Sequence, residues 1–263
     1  MNTELITASV QVYLLVFARI MGILQTAPLL SSSSIPPLAR AGLALLTSFL
    51  IAPWVISAGY PVPENGLIYV FLMIGEAVIG ISIGLILTVI FSSFIVSGQL
   101  YSVQMGFGAS QVFDPLAQIQ IPLMGQFLNL IAMFVFLLDK GLQKVFLIGI
   151  LGSFNSIKAS DFIILKDPLY KIFLSSLTVM FKQALIIAFP ILGVLLLISI
   201  SMGLLAKAAP QMNLLMLGFP IKISIAFLML FVTIPFLMEA FGRIIDSSFY
   251  GISQFLDSLR GQI

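Results

Sequence analysis

The sequence predicts an all-α membrane protein made of long, kinked apolar helices and helical hairpins, and three observations predict it. Of 263 residues, 60% are apolar and 8% charged, against about 25% charged in an ordinary soluble domain. Several stretches with little or no charge approach or exceed the roughly 20 residues that cross about 30 Å of hydrocarbon. Proline and glycine, 13 and 20 residues, interrupt these stretches and mark kinks and turns within them.

The same composition excludes several kinds of function. Twelve basic and ten acidic residues leave a net charge of +2, which provides no field that would draw in nucleic acid. Cysteine and histidine are absent, so disulfides, thiol nucleophiles, the usual zinc sites and the commonest general base near neutral pH are all missing. Only carboxylate or lysine chemistry remains, and no nucleophile and base pair is recognisable. The chain is therefore expected to be neither an enzyme nor a holder of metal or cofactor.

Along the chain, Met1 to Gln25 reads as a retained first helix, because Glu4 precedes its apolar run and Arg19 lies within it. The tract Ser31 to Pro37 closes it as a turn. Ala41 to Ser57 follows, interrupted by Pro53, and a polar turn from Gly59 to Gly66 leads into Leu67 to Val96, where Glu76 is the one charge. From Ser97 to Pro115 the chain is uncharged until Asp114 yet rich in Gly, Ser and Gln. Lipid does not satisfy such groups, so this stretch is expected to be irregular chain buried inside protein. Ile121 to Leu138 is another apolar run, and Asp139 to Lys171 is a charged connection with five lysines and three aspartates. Ile172 to Ala206 and Leu214 to Met238 then form a hairpin. The tail from Glu239 alternates charge with Phe241, Ile245, Phe249, Ile252 and Phe255, as an amphipathic surface helix would.

Three groups of residues stand out. Glu76, Gly80, Gly84, Thr88 and Ser92 recur every fourth residue, a stripe of mostly small side chains against which another helix can pack. Glu76 reads in two ways: as a proton or ion site, since an intramembrane carboxylate is costly and kept for a purpose, or as half of a buried ion pair with Arg19 or Arg40. Lys182, Lys207 and Lys222 lie near the ends of the hairpin helices, where lysine can snorkel to the interface. The lysine-rich connection would be cytoplasmic by the positive-inside rule.

The most specific signal is the stretch Leu204 to Ile223, with Lys207-Ala208-Ala209-Pro210-Gln211-Met212-Asn213 followed by Gly218-Phe219-Pro220-Ile221-Lys222. It resembles the signature of the FliR/SctT family of export-gate subunits. Arg19 with the Pro28 turn, Pro36 and Arg40, Glu76 to Gly80, and Gln104 to Phe107 through Asp114-Pro115 occur in the family's order. The resemblance covers nearly the whole chain. Where the family usually has Gly-Gly-His, this chain has Asp139-Lys140-Gly141-Leu142-Gln143, so no role for that histidine carries over.

The resemblance implies a pore-forming gate subunit in the bacterial inner membrane, within the flagellar basal body. The subunit assembles with FliP and FliQ to pass unfolded flagellar proteins out of the cytoplasm. It implies a FliP-like part over residues 1–175 and a FliQ-like hairpin over 176–263. It also implies a buried irregular plug loop over 106–122, in which Gly106, Phe107, Gly108, Phe113, Asp114 and Pro115 are the candidate residues. The tip formed by Lys207, Pro210, Gln211, Met212 and Asn213, with Lys222 nearby, is implied to be cytoplasmic and close to FlhB. That placement conflicts with the lysine count and takes precedence, because the lysine rule describes spans that insert independently. The Gly-Phe-Pro-Ile-Lys ending favours the flagellar branch over the injectisome branch. The other reading from the residues is a small-molecule or ion transporter, which should show repeat-related helix breaks in its two halves. None is found.

Overall fold

The computed structural model describes residues 2–63, 65–106, 123–159, 162–211 and 214–260. Among them there is no strand. The helices are α1 (Asn2–Thr26), α2 (Pro37–Ser57), α3 (Gly66–Met105), α4 (Leu123–Leu138), α5 (Gly141–Lys144), a π-helical segment (Val145–Gly152), α6 (Ser153–Ser156), α7 (Phe162–Ala208) and α8 (Leu214–Arg260). Five helices are long and apolar enough to cross a membrane. Three of these, at 40, 47 and 47 residues, are about 60–70 Å long at 1.5 Å per residue, twice the hydrocarbon thickness.

The chain divides into two compact units, one of residues 1–90, 140–177 and 246–263, the other of 91–139 and 178–245. In the first unit α1 packs against α2 and runs tightly along α3. A Cβ on Gly22 would stand 2.6 Å from the Ala77 carbonyl oxygen, so only glycine permits this approach of backbone to backbone. Leu15, Val16, Ile20, Ile23 and Leu24 of α1 are buried, as are Ile79, Ile83 and Leu87 of α3.

The second unit is organised around aromatic rings. Phe91 meets Phe94 and Phe136 edge to face, with centroids 5.4 and 5.3 Å apart, and Phe94 lies 4.4 Å from Phe241. Each such pair contributes about 0.5–1.5 kcal/mol beyond its burial. Gly98 of α3 sits directly on the backbone of Gly125 in α4, a contact that no larger residue at position 98 could make.

Two expectations change here. The irregular chain expected from Ser97 onward is helical as far as Met105. Its polar groups find partners without leaving the helix: Ser97 Oγ donates to the Phe94 carbonyl at 2.8 Å and Ser102 Oγ to the Gly98 carbonyl at 3.0 Å. Tyr101 donates to the Ile187 carbonyl at 2.6 Å. The charged connection after Leu138 is largely helical as well, and Lys144 forms an ion pair with Asp246. Finally, the tail from Glu239 is not a separate surface helix but the continuation of α8 to Arg260. Its apolar residues Phe241, Ile245, Phe249 and Ile252 are buried within the protein, so protein rather than a lipid surface takes up that face.

Lys140 adopts a left-handed conformation, φ 56° and ψ 33°, immediately before α5. This backbone geometry is one that favours glycine. Lys140→Gly is expected to stabilise the protein by about 1 kcal/mol, measured as a shift in denaturant midpoint in mixed micelles. No gain would show that the lysine side chain offsets its backbone strain.

Candidate functional site

Two places concentrate polar chemistry in this apolar chain, one in each unit. The first is built around Glu76 on α3, which is fully buried together with Arg19 of α1. Arg19 Nε donates to Glu76 Oε2. The other guanidinium nitrogens donate to Ser153 Oγ at 3.2 Å and to the Ile157 carbonyl at 2.8 Å, and the guanidinium carbon lies 4.1 Å from the centroid of the Phe154 ring. Glu76 Oε1 accepts from the Tyr60 hydroxyl and from the Ala159 backbone N–H at 3.2 Å. A planar fork with several donors suits such a site, because one arginine reaches three acceptors in three directions.

Burial pushes the Tyr60 phenol well above its ordinary value of 10, and the neighbouring Glu76 carboxylate adds to the shift. Tyr60 therefore stays a donor throughout the physiological range. The sign follows for stability: this contribution is fully present below pH 10 and is lost as alkali drives the phenol through its raised pKa. Tyr60→Phe removes one charge-assisted hydrogen bond and is expected to cost about 1.5–3 kcal/mol, read as a lower denaturant midpoint. An unchanged midpoint would mean that Ala159 alone satisfies this oxygen.

Of the two arginines considered as partners for Glu76, only Arg19 pairs with it. Arg40 instead caps the α1–α2 turn, donating to the carbonyls of Ser32 at 2.8 Å and Ile35 at 3.1 Å and to the Gln25 side chain. Farther along α3, a Cβ on Gly80 would strike the Arg19 carbonyl oxygen, and one on Gly84 would stand 2.9 Å from the Ala27 nitrogen. Thr88 Oγ1 donates to the Thr26 carbonyl. Glu76, Gly80, Gly84 and Thr88 thus all meet α1, while Ser92 is half-buried and belongs to the other unit.

Tyr60, Ser153 and Phe154 escaped the sequence reading. Tyr60 sits in a Gly/Pro-rich turn and the other two in the charged connection, so no periodicity marks them. The arrangement fixes α1, α3, the turn before α3 and the segment after α6 to one another. Both carboxylate oxygens are occupied and the site is closed to solvent, so the geometry supports a structural clasp rather than a group that exchanges protons with water.

The second place lies in the other unit. Gly106 ends α3 with φ 88°, its N–H bonded to the Val103 carbonyl at 3.1 Å, and the space a Cβ would need is filled by the ring of Phe219. The remaining plug-loop candidates, Phe107, Gly108, Phe113, Asp114 and Pro115, lie outside the described residues, as do Met212 and Asn213 of the tip. Lys207, Pro210 and Gln211 are exposed at the end of the α7–α8 hairpin. Lys222 is half-buried and lines a cavity of about 260 Å³ with Ser199, Met202, Gly203, Ala206, Gly218 and Phe219. Among the described residues no group of three or more carboxylates is placed to hold a metal ion.

Comparison with known proteins adds independent findings. Residues 10–248 match the family described as bacterial export proteins, family 1. The chain is 31% identical to the flagellar biosynthetic protein FliR of Bacillus subtilis over 222 residues, 84% of this chain and 85% of that protein. It is 30% identical to FliR of Borreliella burgdorferi over 75% of this chain and 73% of that protein, and 27% identical to FliR of Aquifex aeolicus over 94% of both.

Proposed function

We propose, from the premise that this chain belongs to the bacterial export proteins of family 1 and to their FliR branch, that it is the pore-forming gate subunit of a flagellar protein exporter. At the coarser level it is a subunit of the flagellar export apparatus in the inner membrane, and its family is a structural part of that machine. The finer reading is a scaffold that assembles with FliP and FliQ homologues, holds FlhB near the hairpin tip, and passes unfolded flagellar proteins. It carries out no catalysis of its own.

The observation that carries this reading is the family match over residues 10–248. The structure adds physical support. In the first unit Arg19 and Glu76 are held in a closed clasp, which supports a scaffold's rigidity. The left-handed stop at Gly106 ends the 40-residue α3 where the proposed plug segment begins. The division into a FliP-like part over 1–175 and a FliQ-like hairpin over 176–263 is part of the same proposal.

Co-purification in mild detergent tests the assembly: FliP and FliQ homologues are expected with this chain, and their consistent absence would overturn the reading. Deleting 106–114 tests the plug. The assembled deletion variant is expected to conduct ions in planar bilayers where the parent complex is closed. An equally tight deletion variant of correct composition would remove the plug from the proposal.

A further inference from the structure

We propose that the π-helical segment Val145–Gly152 is a register switch for the Arg19–Glu76 clasp, braced by the C-terminal end of α8. The switch goes beyond the gate reading, because every residue it uses lies within the first unit.

A π-helix closes its hydrogen bonds one residue farther along the chain than an α-helix, and it occurs mostly as single-turn bulges, frequently at functional sites. Here it runs for eight residues. The local sequence does not demand this geometry. No proline occurs between Gly141 and Ser156, and Cβ atoms on Gly149 and Gly152 would meet only ordinary contacts, 3.7 Å to Ile83 and 3.5 Å to Leu256. The other residues are Val, Phe, Leu and Ile, which an α-helix accepts. The cause therefore lies at the ends of the segment.

Both ends are held. Lys144 forms an ion pair with Asp246 of α8, and Val145 beside it is fully buried. At the far end Ser153 Oγ donates to the Ile150 carbonyl at 2.8 Å and accepts from Arg19 at 3.2 Å. Phe154 lies against the same guanidinium, which also donates to the Ile157 carbonyl. Ser153 thus joins the last turn of the π-helix directly to the clasp. An α-helix between the same anchors would have one residue to spare, and the π-helix takes it up.

That spare residue is free to migrate along the helix. When it passes Ser153 and Phe154, the helix stays intact while each of them slips by one position, a turn of about 100° and a shift of about 1.5 Å. Phe154 then enters the place of Ser153, and the fully buried Arg19 loses its hydroxyl acceptor. An unmade hydrogen bond on a buried charge is costly, so the clasp has two discrete states, tight and released, rather than a continuum. The end of α8 selects between them. Leu256 rests against Gly152 and Asp246 holds Lys144, so its docking favours the tight register.

Deleting Leu147, an exposed residue of the segment, removes the spare position and is expected to close the segment as an α-helix with both anchors in place. The variant should reach the membrane fraction at the parent's level, in an export complex of unchanged composition. Deleting Phe134, an exposed residue of the regular helix α4, turns Phe136 away from Phe91 and should leave little folded protein. With its register locked, the Leu147 deletion is expected to secrete flagellar proteins about tenfold or more slowly than the parent, as when one of two states is no longer populated. Hydrogen exchange in the assembled complex gives a second reading. The Ala159 N–H, which donates to Glu76, should exchange more slowly in the Leu147 deletion. In Asp246→Ala it should exchange about twofold to fivefold faster, the range that an exposed ion pair supplies. A Leu147 deletion as damaging as that of Phe134 overturns the proposal, because no residue is then to spare. Export at the parent's rate overturns it as well, and so does Ala159 exchange indifferent to Asp246→Ala.

Discussion

Arg19→Met is expected to destabilise the protein by about 3–5 kcal/mol, measured by chemical unfolding in mixed micelles. Methionine fills a similar volume, so packing changes little. What is lost is, among the described residues, the one cation that faces Glu76, along with the donors to Ser153 Oγ and the Ile157 carbonyl. Glu76 is left as a buried carboxylate with only Tyr60 and Ala159 as partners. Arg19→Lys should recover part of the loss, because a single ammonium cannot reach all three acceptors.

The double variant Arg19→Met with Glu76→Leu distinguishes a clasp from a functional charge. Removing both charges avoids an uncompensated ion, so the double variant is expected to be more stable than Arg19→Met alone, with a coupling of about 1–3 kcal/mol. It should not reach the parent, since the Tyr60 hydroxyl and the Ala159 N–H then lose their acceptor. A single variant within 1 kcal/mol of the parent would mean that water enters the site and replaces the arginine.

The second large effect is expected at Gly80. Gly80→Leu should leave little or no folded protein in the membrane fraction, and Gly80→Ala should already cost about 1–3 kcal/mol, at the upper end of that range. The obstacle is the backbone of α1, the Arg19 carbonyl oxygen itself with its carbon 3.0 Å away, and backbone has no rotamer to change. Moving α3 back would also stretch the Arg19–Glu76 pair one turn away, so the two sites should couple. Gly42 in α2 is the control, with nothing within 4 Å of its Cβ position. Gly42→Ala should raise stability by about 0.5–1 kcal/mol through helix propensity alone. Equal effects at the two glycines would refute close packing as the reason for Gly80.

How much of this was legible beforehand depends on the kind of signal involved. The long helices could be read because hydropathy acts locally and lipid demands uninterrupted apolar runs. The spacing of Glu76, Gly80, Gly84 and Thr88 could be read because a four-residue repeat projects onto one helix face. The helical course of Ser97 to Met105 was misread from composition. Glycine and serine mark irregular chain when their polar groups lack partners, but here the serines bond back onto their own helix and Gly98 serves the contact with Gly125. The continuation of α8 through Glu239 was obscured by the change from uniform to amphipathic pattern, which reflects a change of neighbour rather than a break in the helix.

By itself the sequence determined the helical class, the membrane-competent runs, the absence of imidazole and thiol chemistry and the family signature near Pro210 to Lys222. These depend on residue type and spacing along one chain, and they survive whatever the helices pack against. Tertiary structure alone decided that Arg19 rather than Arg40 meets Glu76, that Tyr60 and Ser153 complete the clasp, and that Lys222 lines a cavity with Ser199 and Phe219. A buried charge takes whichever partner the backbone delivers to it, and that delivery depends on glycine contacts between residues far apart in the chain.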